Sequence, residues 1–226
     1  MLVFKFGGAS VKDADAIRNV ASILSLYPGK KLTVVVSAMG KSTNKLEEIV
    51  TALETKNHKL FVGLVDELEA FHMDIMAALF PEKHFRIYQT IEELFESLKA
   101  RFELVFSENI SFEYDQIVSL GEVLSSHIVS SFLLEQDFSV QWMDARKLIR
   151  TDHTYQEGKV DWKKTEQLLQ ERMIPAFKDA DILLTQGFIG HTTEGFTTTL
   201  GREGSDYTVD RQGLGILHVT QSYRAE

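Results

Sequence analysis

Two short apolar runs, each ending in a glycine-bearing turn and each followed by helical spacing, constrain the fold of this chain more than any other feature. Leu2 to Phe6 has the pattern of a buried strand and stops at Gly7-Gly8. Ile17, Val20, Ala21 and Leu24 then recur at helical spacing, with Asp13 and Asp15 at the expected start, where carboxylates suit the helix dipole. Pro28-Gly29 closes that helix. Leu32 to Val36 is a second, β-branched strand ending at Ser37-Ala38-Met39-Gly40. Another helix is expected from about Asn44, with Asn44 and Glu47 spaced as a capping box. Strand, turn, helix, strand, turn, helix in this order predicts a βαβ unit and a parallel sheet.

The remaining segments extend an α/β reading. From Lys59 to Phe106 apolar residues recur as Leu60, Leu64, Leu68 and as Ile91, Leu94, Phe95, Leu98, which predicts two or three helices packed on the sheet. Helical spacing also runs through Val118 to Leu134 and Trp162 to Arg172. Phe138 to Met143 alternates as a strand does, and Asp181 to Thr185 is a further buried strand. Gly187 to Gly204, rich in Gly and Thr, predicts a hairpin with polar turns.

Composition narrows the function classes. A formal net charge of −9 disfavours nucleic-acid and anionic-membrane binding, which call for a basic surface. The chain has no cysteine, which excludes disulfides, zinc-thiolate sites and thiol nucleophiles. No apolar stretch approaches the ~20 residues that span a bilayer, and no signal peptide is evident, so a cytoplasmic protein is expected. The seven histidines are scattered, and no metal cluster of His, Cys and Asp is visible.

Four segments could carry chemistry. Lys5-Phe6-Gly7-Gly8-Ala9-Ser10 delivers a lysine on a strand, then glycines that let main-chain N–H groups cradle phosphate oxygens. The lysine would neutralise charge on a transferring phosphoryl group. A Gly-Gly turn beside a surface lysine explains the same residues, and the G-x-x-x-x-G-K-[ST] spacing of a Walker A loop is absent. Ser37 to Gly40 ends the adjacent strand, where parallel sheets bind ligands. Thr43 and Asn44 after it are helix caps or ligand contacts. Ser119-Leu120-Gly121-Glu122 opens a helix, and Glu122 either complements the dipole or receives a substrate ammonium group. In Thr198 to Tyr207, Gly201 and Gly204 flank Arg202, whose planar fork suits a carboxylate. Ser205 and Asp206 are equally placed to cap a helix.

Taken in order, KFGGAS, VVVSAMGKSTN, SLGE, QGFIG and TTTLGREGSD resemble the aspartate kinases of the amino-acid kinase fold, over roughly Met1 to Thr208. The run TTTLGREGSDY after QGFIG carries most of the resemblance. It implies a three-layer α/β/α fold with a mostly parallel central sheet, and a catalytic domain over residues 1–207. It also implies ATP-dependent phosphorylation of the side-chain carboxylate of L-aspartate, with magnesium entering on ATP rather than held in a protein cage. By the same resemblance, Lys5 contacts the transferred phosphate, while Gly7, Gly8, Ser10 and Ser37 line the phosphate site. Thr43 and Glu122 bind aspartate, Glu122 through its ammonium group. Arg202 clamps the α-carboxylate, Ser205 supports the substrate pocket, and Asp206 orients the lysine and the reacting groups. A homodimer is the family's common assembly. Other amino-acid kinases, acting on acetylglutamate, glutamate, carbamate or UMP, share the lysine-glycine start, but SLGE with TTTLGREGSD favours aspartate.

The resemblance stops after Tyr207. Residues 208–226, TVDRQGLGILHVTQSYRAE, have no clear helical stripe where the family continues with an apolar helix and the adenine and ribose contacts. The expectation is a truncated or frameshifted reading frame with a divergent tail and without regulatory ACT-type domains. A non-catalytic remnant that binds aspartate, or an interaction module, is the alternative in a different class.

Overall fold

The computed structural model describes residues 1–82, 85–104 and 109–201. Four parallel strands form the central sheet: β1 (Leu2–Phe6), β2 (Leu32–Val36), β3 (Val140–Trp142) and β4 (Ile182–Gln186), in the order β1-β2-β4-β3. The pairing is level across the first three: Phe6 lies opposite Val36, and Val36 opposite Gln186. Gly7, Ser37 and Gly187 therefore leave the sheet side by side at its carboxyl edge.

Strand alternation divides the sheet into two faces. Phe4, Phe6, Leu32, Val34, Val36, Ile182 and Leu184 share one buried cluster with the helices α1 (Ala14–Leu24), α2 (Ser42–Glu54), α3 (His58–Leu79), α4 (Phe85–Ala100), α5 (Ile110–Val118) and α6 (Leu120–Glu135). On the opposite face Leu183 joins a second cluster with Leu148, Ile149, Leu169, Met173 and Ala176. On this face α7 (Trp162–Leu168) runs on through a π-helical turn over Leu169–Met173, which supplies Leu169 and Met173 to the cluster. Helices thus cover both faces, the three-layer arrangement expected. A hairpin of β5 (Ile189–His191) and β6 (Thr197–Thr199) follows β4, antiparallel as predicted.

Three expectations need correction. The capping box at Asn44 and Glu47 does not form: α2 begins at Ser42, and its amino-terminal residue Lys41 makes no side-chain cap. The Ser42 hydroxyl instead donates to Met39 O at 2.6 Å, which starts the helix two residues earlier. By contrast Asp13 does cap α1, accepting from Ala16 N at 2.8 Å. Second, α3 and α4 do not lie mainly on the sheet. Their principal neighbours are other helices, α1, α2 and α4 for α3, and α3 and α6 for α4. Third, Ile110–Glu135 is a 26-residue helical stretch apolar enough by length and composition to cross a membrane. In this fold 78% of its most apolar part is buried in protein, the setting of a core helix. The helical spacing read over Val118 to Leu134 corresponds to α6, and Ser119 separates it from α5.

Candidate active site

The carboxyl ends of β1 and β2 approach so closely that side chains are excluded between them. Ser37 N donates to Phe6 O at 3.0 Å and Gly40 N to Gly8 O at 3.0 Å, so the two turns are bonded backbone to backbone. A Cβ on Gly8 would lie 2.8 Å from Ala38 O and 2.9 Å from Gly40 O, distances no side chain tolerates. Gly121, at the start of α6, meets the same turn: a Cβ there would lie 2.9 Å from Ala38 Cβ. Gly7 is different. The space beside its Cα is open, which leaves room for a ligand to approach the backbone.

That packing brings the first turn of α6 against the end of β2. Glu122 is 4% exposed, and its Oε1 accepts from Ala38 N at 3.3 Å. Its Oε2 is buried with no hydrogen-bond partner. Burial pushes the Glu122 carboxyl up to about 8, against the opposing pull of the backbone hydrogen bonds. A dipole-complementing glutamate at a solvated helix start would show none of this. A buried carboxyl with one idle oxygen is instead a site that a cationic group can complete, because an opposite charge favours the ionised form.

Glu122 opens into a cleft of about 270 Å³ lined by Ser37, Thr43, Asn44, Glu47, Tyr114, Glu122 and Phe188. Ser37, Thr43 and Glu122 were expected together, and the structure unites them. Sequence reasoning missed Glu47, Tyr114 and Phe188 as cleft residues. Tyr114 Oη donates to Glu47 Oε1 at 2.7 Å, across 67 positions of sequence, so no local pattern announces the pair. Phe188 stands directly after Gly187 with φ +68°, a left-handed conformation that an aromatic residue adopts only when its surroundings enforce it. A Gly-Phe pair directly after a buried strand was the available signal.

Lys5, Gly7, Gly8 and Ser10 are not among the residues that line the cleft. Lys5 lies on the face of β1 opposite to Phe4 and Phe6, level with Val35 and Thr185. Gly8 to Val11 forms a single 3₁₀ turn holding Ser10, whose N–H donates to Gly7 O at 2.8 Å. Gly7 follows Phe6, which pairs with Val36 directly before the cleft residue Ser37. Arg202, Ser205, Asp206 and the tail 208–226 lie outside the described residues.

Similarity to known proteins agrees with this geometry. The amino acid kinase family model matches residues 1–210. The lysine-sensitive aspartokinase 3 of Escherichia coli (strain K12) is 33% identical over 209 residues, 92% of this chain and 45% of that protein. The aspartokinase of Chlamydia trachomatis serovar D is 32% identical over 212 residues, 94% of this chain and 45% of that protein. The crystal structure of E. coli aspartokinase III in complex with aspartate and ADP superposes with a TM-score of 0.86 at 32% identity, over 96% of this chain and 47% of that one. An aspartate kinase from Clostridium acetobutylicum, 22% identical with a TM-score of 0.73 over 96% of this chain and 45% of that one, shares the fold. This chain spans about half the length of the curated relatives it matches. With the parallel sheet, the level glycine turns and the family match over residues 1–210, the chain belongs to the amino acid kinase family.

Proposed function

We propose that this chain is the aspartate-binding part of an aspartate kinase, which transfers the γ-phosphoryl group of ATP to the side-chain carboxylate of L-aspartate. The observation that carries the reading is Glu122: a buried carboxyl with an idle oxygen, opening into a cleft between Ser37 and Thr43. An α-ammonium group is the natural complement. This also argues against an N-acylated substrate such as acetylglutamate, which lacks that charge.

The chemistry asks little of the protein. The substrate carboxylate, with a side-chain pKa of about 4, is ionised at neutral pH. One of its oxygens attacks the γ-phosphorus, the new P–O bond forms, the bond to the β,γ-bridging oxygen breaks, and ADP leaves with those electrons. No proton moves, so no general base is required. Alignment and charge neutralisation do the rest. In this reading Lys5 and the open backbone at Gly7 serve the phosphate end, together with Ser10 and Ser37. Glu122 and Thr43 hold the amino-acid end. Arg202 would clamp the α-carboxylate, Ser205 would support the pocket and Asp206 would orient Lys5, roles supported by their motif alone. Magnesium would come in on the triphosphate, as the family resemblance implies. A catalytic domain ending near residue 207, a homodimer and a cytoplasmic setting belong to the same reading and rest on the family resemblance.

Calorimetric titration of the chain with aspartate and then with magnesium-ATP tests this, using wild type, Lys5→Ala and Arg202→Ala. Aspartate binding lost in Arg202→Ala and kept in Lys5→Ala is the expected result. Glutamate or acetylglutamate binding more tightly than aspartate would move the chain to another branch of the family. Aspartate binding without any ATP binding would make it a binding protein rather than an enzyme.

A further inference from the structure

Asp115 has no part in the chemistry above, yet it is a fully buried acid beside the cleft. It is 0% exposed on α5, next in sequence to the cleft residue Tyr114. Its two oxygens each accept from Gln156 N at 3.0 Å, and Oδ1 also accepts from the Thr199 hydroxyl at 2.6 Å. One carboxylate therefore binds a helix, a strand of the hairpin and a loop that are far apart in sequence. Its neighbour Gln116 reinforces the same junction, with Nε2 donating to Thr197 O at 2.8 Å.

What Asp115 holds leads straight to the site. Thr199 precedes Leu200, whose N–H donates to Phe188 O at 2.8 Å, and Phe188 is a wall of the cleft. Gln156, at φ +69°, sits in a left-handed conformation that is strained for a non-glycine residue. Its carbonyl oxygen lies 3.9 Å from where a Cβ on Gly201 would stand, so the strained loop abuts the residue just before Arg202. A buried carboxylate accepting from two donors, the Gln156 N–H shared between its oxygens and the Thr199 hydroxyl, opposes that strain.

We propose that Asp115 is a positioning residue of the substrate cleft: it fastens β6 and the Gln156 loop to α5, and so fixes the Phe188 wall and the Gly201 turn that leads to Arg202. The effect on substrate rests on the aspartate-binding reading, whereas the fastening does not. A residue serving only general stability would, when altered, loosen the whole sheet and spare affinity once folded.

The test uses the whole chain as wild type, Asp115→Asn, Thr199→Val and Thr199→Ser, the last of which keeps the hydroxyl. Hydrogen exchange by mass spectrometry is read over β1–β2 and over β5–β6, with calorimetry of aspartate binding below the melting temperature. Asp115→Asn and Thr199→Val should each speed exchange in β5–β6 but not in β1–β2. Each should weaken aspartate binding by about tenfold, the loss of one charge-assisted hydrogen bond. Thr199→Ser should stay within about twofold of wild type, because its hydroxyl still reaches the carboxylate. Unchanged β5–β6 exchange in both variants, acceleration shared by all strands, or failure of Thr199→Ser to restore binding would each overturn the proposal. Should wild type bind no aspartate, the functional reading fails, and the exchange data alone decide whether Asp115 holds the hairpin.

Discussion

Replacing Glu122 with glutamine makes a quantitative test of the cleft's electrostatics. The carboxyl ionises near 4.5 when unfolded and is pushed up to about 8 in the fold by burial. Because the folded value is the higher one, the native protein holds the proton that the unfolded chain gives up. Stability is therefore undiminished below about pH 4.5, falls as pH rises, and reaches its full loss above about pH 8. A displacement from 4.5 to about 8 corresponds to ~5 kcal/mol, a large share of an ordinary domain's stability. Urea unfolding at intervals from pH 5 to 9 should show this fall in wild type and a flatter curve in Glu122→Gln. Asp115, also pushed up by burial, contributes equally to both proteins and cancels in the difference. Aspartate should abolish the difference, since its ammonium group lets Glu122 ionise in place. At pH 7 a group titrating near 8 is about 90% protonated, so aspartate binding should release about 0.9 proton. Calorimetry in buffers of different ionisation enthalpy measures that number. Tight aspartate binding with no proton release, or parallel pH curves for the two proteins, would refute the reasoning.

Gly8→Ala should destabilise the protein by ~2 kcal/mol or more, read as a lower urea midpoint, because its Cβ would press on the fixed backbone oxygens Ala38 O and Gly40 O. Gly7→Ala should leave stability almost unchanged and weaken magnesium-ATP binding instead, because the space beside Gly7 is open. His72 gives the opposite pH slope to Glu122. It is buried with Nδ1 bonded to Leu68 O and Nε2 without a partner, and burial lowers its pKa to about 4. Its folded value lies below the unfolded one, so wild type should lose ~3 kcal/mol relative to His72→Leu as pH falls from 6.5 to about 4, seen in melting temperatures across that range.

The sheet was legible because its information is local. The apolar runs at Leu2 and Leu32, the Gly-Gly stop and the Asp13 cap each act within a few residues of where they stand in sequence. The capping box failed for the converse reason. Asn44 and Glu47 have the right spacing, but Glu47 takes its partner from Tyr114, far away in sequence, and Ser42 starts the helix first. Glu122 could be marked as a candidate at a helix start. Its burial and idle oxygen depend on Gly121 letting α6 reach Ala38, which only the tertiary packing reveals. Phe188 resembles an ordinary core aromatic in sequence, and Tyr114, between Glu113 and Asp115, resembles a residue of a half-exposed helix.

The level pairing of β1, β2 and β4 also determines where this chain can change length. Side chains alternate along a strand, so removing one residue within β1 would turn Lys5 toward the face packed on α1 to α6 and a phenylalanine toward the opposite face. The same deletion would draw Gly7 out of line with Ser37 and Gly187. At the other end of the strands, the Pro28-Gly29 turn carries no site residue, and doubling a loop there adds only ~0.6 kcal/mol of closure entropy. One rim of the sheet is thus editable and the other is not, and insertions or tags belong on the first.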